Sequence, residues 1–369
     1  MADREQRRTT TQRAAYEILP FEKDIVEIEA KIEELELLSK GTELNLNGEI
    51  TGLKSQLDKR VVEVFHSLSP WEKVQVARAP GRPLAVHYIE GMLDEFMELH
   101  GDRLFRDDPA LITGLARIGD VRCLLVAHRK GRDTKEKIAC NFGSAHPEGY
   151  RKALRKMRLA EKFGLPVVAL INTPGAYPGI GAEERGQAWA IAENLKEMFQ
   201  LRVPIVCVVL GEGGSGGALG IGIGDRVLML EHAYYSVISP EGCAAILWRD
   251  RDRAAEAAAA LRLSASDLLR LGVVDDVIEE PVGAAHRNPG AAVAAVRERV
   301  LVALRELSVL PIEQLVAERY EKFRRMGTLF EETSPLEPVA ESAESEAAKE
   351  TPQRAGPDGK NAAGPPQEG

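Results

Sequence analysis

Five glycines fall within seven residues at Gly211-Glu-Gly-Gly-Ser-Gly-Gly217, directly after the apolar run Val203–Leu210 and before the helix-compatible Ala218-Leu219-Gly220-Ile221. Residues without a Cβ let backbone N–H groups approach a ligand closely, and the first turn of a helix leaves its N–H donors without internal partners. Gly213, Gly214, Ser215, Gly216 and Gly217 are therefore candidates to hold an oxygen that carries, or is about to carry, negative charge. The same residues satisfy Gly-x-Ser-x-Gly, the nucleophile elbow of serine hydrolases. That alternative makes Ser215 the nucleophile and needs a downstream histidine and acid, for which His232 or His286 with Asp225 or Asp250 are the candidates.

A second glycine-rich turn, Asn172-Thr-Pro-Gly-Ala-Tyr-Pro-Gly-Ile-Gly181, comes after another apolar run. If the two runs are parallel neighbours in a sheet, both turns emerge at the edge where open α/β sheets bind ligands. Gly175, Ala176 and Tyr177 then join the candidate ligand-facing residues. Other chemistries find less support. No Gly-x-x-x-x-Gly-Lys-Ser/Thr is present, Gly220-Ile-Gly-Ile-Gly224 is a fragment of a dinucleotide fingerprint, and the histidines lack metal-ligand spacing. No metal site is expected. Glu183 and Glu184 are accounted for by the dipole of the helix they begin.

These turns need elements to hold them. Short apolar runs alternate with amphipathic stretches from about Pro83, the pattern of layered α/β architecture. Strands are expected at Leu111–Ile118, Val121–His128, Pro166–Asn172, Val203–Leu210, Arg226–Leu230, Tyr235–Ile238 and Val273–Ile278, with helices at Glu148–Phe163 and Glu183–Gln200. Ser239-Pro240-Glu241 reads as a helix start. Upstream, Phe21, Ile25, Ile28, Ile32 and Leu35, then Ile50, Leu53, Leu57, Val61, Val64 and Leu68, trace two helix seams around the breaker-rich 41–48, hence a helical hairpin. The expected organisation is a disordered N-terminus (1–15), the hairpin (16–80), an α/β domain (81–306), a C-terminal helix (307–327) and a disordered acidic tail (328–369).

The chain has 369 residues, 44% of them hydrophobic, and a net charge of −9, which argues against general nucleic-acid affinity. Charge is uneven, with eleven Lys or Arg against four Asp or Glu between His128 and Lys162. Lys130 and Arg132 in that segment are candidate contacts for an anionic ligand, although a solvated helix face would look the same. The four cysteines stand apart with no Cys-x-x-Cys pair, and no stretch reads as a signal peptide or membrane span. A cytoplasmic location is expected.

Gly131-Arg-Asp-Thr-Lys-Glu-Lys137, Pro147–Arg155, Asn172–Gln187, Gly211–Leu219 and Ser236–Cys243 together resemble the α subunits of the carboxyltransferase component of bacterial and plastid-type acetyl-CoA carboxylase. The matching blocks run from roughly Pro80 to Pro289, and the helical hairpin before them also looks like the family's. It implies a crotonase-like spiral of ββα units. It implies transfer of a carboxyl group from carboxybiotin, tethered to a biotin carboxyl carrier protein, onto acetyl-CoA to give malonyl-CoA for fatty acid biosynthesis. It also implies an α2β2 assembly with a zinc-ribbon β subunit, working alongside a biotin carboxylase, with no cofactor bound covalently to this chain and zinc on the β subunit only. By position, Gly216 and Gly217 match the family's oxyanion-hole pair for the biotin ureido oxygen. On that reading Gly217→Val abolishes turnover without unfolding the protein. The sequence departs from the family's pattern at Ser144-Ala145-His146, Trp189 and Ala284, the last often a glycine.

Overall fold

A computed structural model describes residues 18–41 and 45–327. The expected disordered N-terminus (1–15) and acidic tail (328–369), and part of the loop between the hairpin helices, lie outside the described residues. The hairpin seams form α1 (Lys23–Gly41) and α2 (Asn47–His66). They run antiparallel, since Asp24 meets Arg60 at 2.6 Å and Glu36 meets Lys54 at 2.7 Å. Ile25, Ile32, Ile50, Val61, Val64 and Leu68 are the buried members of the two seams.

Eight strands make one mixed sheet: β1 (Glu95–Glu98), β2 (Leu111–Ile118), β3 (Val121–His128), β4 (Val167–Thr173), β5 (Ile205–Gly214), β6 (Arg226–Leu230), β7 (Tyr234–Ser236) and β8 (Asp276–Ile278). The spatial order is β1-β2-β3-β4-β5-β6-β8, with β7 beside β5. The first two pairings are antiparallel and the rest parallel. Every residue of β4 and β5 is buried, as expected for parallel strands covered on both faces, whose sequences read as continuous apolar runs. On β1 only Phe96 is even half-buried, so this edge strand leaves no alternating pattern to find.

Beyond the hairpin, the longest helices are α3 (Pro147–Lys162), α4 (Gln187–Gln200), α7 (Pro289–Ser308) and α8 (Ile312–Arg324). Between them in the chain lie the short α5 (Ser215–Leu219) and α6 (Pro240–Trp248). Ser239 caps α6, its hydroxyl accepting from Gly242 N at 3.1 Å, as its sequence signature predicts.

Several boundaries differ from expectation. The strand expected over Val273–Ile278 is only Asp276–Ile278, and that expected over Tyr235–Ile238 is Tyr234–Ser236. Two further differences bear on the site. The single helix expected over 183–200 is two, Ile180–Glu184 and α4, because Gly186 takes φ +81 between them. The strand expected to stop at Leu210 continues to Gly214, because β5 changes partners: Val206–Val209 pair with β6, and Glu212–Gly214 pair with β7. The glycines at 211, 213 and 214 are thus strand rather than turn.

Candidate active site

β4 and β5 are parallel neighbours, in register from Val167 opposite Ile205 to Ile171 opposite Val209, and irregular beyond, where Thr173 faces Gly213. Both glycine segments therefore leave the same edge of the sheet. They touch through bare backbone. A Cβ at Gly214 would overlap the Pro174 carbonyl, and one at Gly217 would overlap the Gly175–Ala176 peptide. Gly216 differs, since a Cβ there would meet only the Ile191 side chain, at 3.6 Å. Packing alone thus explains glycine at 214 and 217.

Ser215 opens α5 with φ +50, a left-handed conformation that a non-glycine residue adopts rarely. Gly214 is the N-cap and provides no side-chain acceptor, so the first-turn N–H groups are not satisfied by a cap. Gly216 is partly exposed and Gly217 buried. On the facing turn, Thr173 Oγ1 accepts from Gly175 N at 3.1 Å and donates to Gly175 O at 2.8 Å. Tyr177 N donates to Ala145 O, and Gln187 Nε2 donates to both Ala145 O and Tyr177 O. The Tyr177 ring stacks on His146 with centroids 4.2 Å apart. Tyr177 is therefore pinned, half-buried, against its neighbours.

Beneath the glycine strand lies a charged cluster centred on Glu212. Its carboxylate accepts from Arg78 Nε at 2.8 Å, from the Tyr234 hydroxyl at 2.7 Å and from Lys130 Nζ. Burial would raise the Glu212 pKa, but Lys130 and Arg78 outweigh it and hold the carboxyl down at about 2. The Lys130 ammonium is consequently committed to Glu212, while Arg132 pairs with Glu136 at 2.8 Å within its own loop. Further along the basic segment, Lys152 is fully buried on Asp107 and the Asp108 carbonyl, and Arg151 is engaged by Asp102 and Glu148. Much of the local positive excess is thus neutralised inside the fold. Arg78 also reaches Glu241 at 2.5 Å, across a cleft of about 510 Å³ that Pro174 and Glu212 help to line.

The serine-hydrolase constellation does not assemble. His286 Nε2 faces Glu22 at 3.1 Å, and the His232 ring packs against Phe65. Asp225 is taken by Arg319, and Asp250 caps its own turn through Asp252 N. His128, at the end of β3, is buried with its imidazole against the Gly217 backbone. Burial, with Lys130 nearby, pushes its imidazole down to about 3, so it is neutral. Among the described residues, no group of three or more His, Cys, Asp or Glu side chains could hold a metal ion. No helix among them is long and apolar enough to cross a membrane.

Sequence reasoning missed Arg78, Glu212, Tyr150 and Asn194. Asn194 alone left a signal, a polar residue four positions from both Ala190 and Met198 on the buried face of α4.

The mixed α/β sheet agrees with the crotonase-like fold class that the resemblance implies. The crystal structure of transcarboxylase 12S superposes with a TM-score of 0.50 at 21% identity, covering 61% of this chain and 41% of that one. A family model described as acetyl co-enzyme A carboxylase carboxyltransferase-like matches residues 18–327. Two acetyl-coenzyme A carboxylase carboxyl transferase α subunits are close relatives. That of Thermus thermophilus is 52% identical over 313 residues, covering 85% of this chain and 99% of its own length. That of Methylococcus capsulatus is 54% identical over 314 residues, covering 85% and 98%. The chain belongs to the acetyl co-enzyme A carboxylase carboxyltransferase family.

Proposed function

We propose that this chain is the α half of a carboxyltransferase that moves a carboxyl group from carboxybiotin on a biotin carboxyl carrier protein to acetyl-CoA. Membership of the family and the likeness to α subunits along nearly their whole length support the reaction. The observation that carries the site is the backbone contact between Gly217 and the Gly175–Ala176 peptide, which joins the two glycine segments at one sheet edge.

The chemistry needs fixed donors at that edge. The bond between the biotin nitrogen and the carboxyl carbon breaks, and its electron pair is delocalised onto the ureido oxygen. The methyl group of acetyl-CoA loses a proton to the biotin anion, and its carbon bonds the carboxyl carbon to give malonyl-CoA. The N–H groups of Gly216 and Gly217 are the donors for the ureido oxygen. Losing one such donor costs about 3 kcal/mol of transition-state stabilisation, on the order of a hundredfold in rate. Gly175, Ala176 and Tyr177 shape the facing wall, with Gly213, Gly214 and Ser215 carrying the backbone into it. Lys130 acts through Glu212 rather than as a free cation.

The second oxygen, that of the thioester enolate, belongs to a β subunit carrying a zinc ribbon, in an α2β2 assembly to which the hairpin at 16–80 contributes contact surface. A biotin carboxylase recharges the carrier, and the whole operates in the cytoplasm. The test is malonyl-CoA decarboxylation with biocytin as acceptor, by this chain alone and mixed with a β subunit of the family. Activity only in the mixture, retained by Ser215→Ala, is expected. Thioester hydrolysis by the chain alone, lost in Ser215→Ala, would restore the nucleophile-elbow reading.

A further inference from the structure

α5 has the sequence Ser-Gly-Gly-Ala-Leu. Five residues are too few for a helix to sustain itself, and two of them are glycine, a poor helix former. Its direction must be imposed by what packs on it. Tyr150, on α3, lies beneath it with its hydroxyl donating to Gly217 O at 3.3 Å. The Tyr150 ring also fills the space under Gly220, where a Cβ would stand 2.6 Å from ring carbons. Asn194, on α4, spends its amide group on the same assembly. Its Nδ2 donates to Gly220 O at 2.8 Å and to Tyr150 O at 3.1 Å. Both side chains are fully buried, so neither is placed to touch a substrate.

Along a helix the C=O groups point to one end and the N–H groups to the other. Pinning the carbonyls of Gly217 and Gly220 from below therefore aims the N–H groups of Gly216 and Gly217 at the opposite, ligand-facing end. We infer that Tyr150 and Asn194 are positioning residues, a buried clamp that holds the donors of α5 in their working direction. This role rests on the reading that those N–H groups bind the ureido oxygen. A donor aimed wrongly loses worth in the transition state, while the rest of the substrate still binds.

The experiment uses the full chain in complex with a β subunit, comparing wild type, Tyr150→Phe and Asn194→Leu. Biocytin-dependent malonyl-CoA decarboxylation is measured with amide hydrogen exchange over 213–222 and thermal unfolding. The clamp predicts that kcat falls by about tenfold in Tyr150→Phe and by more in Asn194→Leu, with KM for malonyl-CoA changed by less than about twofold. Exchange should quicken over 215–220 while β3–β5 stay protected. Should Asn194→Leu fail to fold, Tyr150→Phe decides alone, because it keeps the ring and removes only the hydroxyl. Wild-type kcat in folded Tyr150→Phe, or a loss that merely tracks dissociation of the complex, would overturn the clamp. An inactive wild-type complex would instead strike the oxyanion reading and the clamp with it, so the two failures are told apart.

Discussion

Gly216 and Gly217 stand side by side, yet substitution should read out differently at each. At Gly217 any Cβ is directed into the Gly175–Ala176 peptide. A substitution there pushes the two glycine segments apart, so Gly217→Val is expected to lower both turnover and stability, correcting the expectation of a cleanly folded, inactive protein. At Gly216 the added methyl of alanine meets Ile191 at ordinary contact distance. Gly216→Ala should unfold at a denaturant midpoint close to wild type, whereas Gly217→Ala should lose roughly 1–3 kcal/mol from overpacking, as urea titration of the two would check. Glu212 offers a pH test. Its folded pKa of about 2 lies below the ordinary glutamate value of 4.5, so its contribution to stability is present above pH 4.5 and lost as pH falls towards 2. Glu212→Gln leaves Lys130 and Arg78 without their shared carboxylate. It should cost about 3 kcal/mol at pH 7 and flatten that acid limb, seen in urea unfolding across the pH range.

At the scale of elements, α8 is fastened to the sheet by Lys322, which donates to Gly224 O, Asp225 O and Asp275, and by the more deeply buried Arg319. Arg319 is fully buried, donating through Nε and Nη2 to the two oxygens of Asp225, both at 2.8 Å, and to the carbonyls of Met198, Leu201 and Val203. Asp225 in turn accepts from Ile205 N, at the start of β5. Removing the arginine leaves the buried Asp225 carboxylate without its counter-charge and takes a donor from three carbonyls. Arg319→Ala is therefore predicted to destabilise the fold by about 3–5 kcal/mol, measured by chemical denaturation. Asp225 looked available for a catalytic triad in the sequence, because nothing in its local context announces an arginine 94 positions away. The strands were far more legible. Leu111–Ile118, Val121–His128 and Arg226–Leu230 stand where periodicity put them. β5 outran its apolar run because its final residues are stabilised by pairing with β7, a long-range contact that composition does not encode.

For the whole molecule, the hairpin is tied to the loop after β8. Arg287 pairs with Glu22 and Glu29, His286 Nε2 faces Glu22, and Phe65 packs near both His232 and His286. Ala284, in the same loop, is fully buried at φ +67, which is the physical reason glycine suits that position. Arg287→Ala should loosen α1 specifically, so hydrogen exchange in Lys23–Gly41 should quicken while β3–β5 remain protected. Equal protection of α1 in the variant would mean that apolar contact alone holds the hairpin.

From the sequence alone came the layered α/β class, the helical hairpin and the two glycine segments on successive strands, because these depend on local periodicity and on backbone freedom at named residues. The family resemblance rested on the same residues. Only the tertiary structure decided which glycines are packed against backbone and which is open, and that Lys130 is already paired. It alone placed Arg78, Tyr150 and Asn194 around the site. Each of these depends on side chains or carbonyls brought together from distant segments, and apart from the polar position of Asn194 on the buried face of α4, such hydrogen bonds leave no spacing in the chain by which to find them.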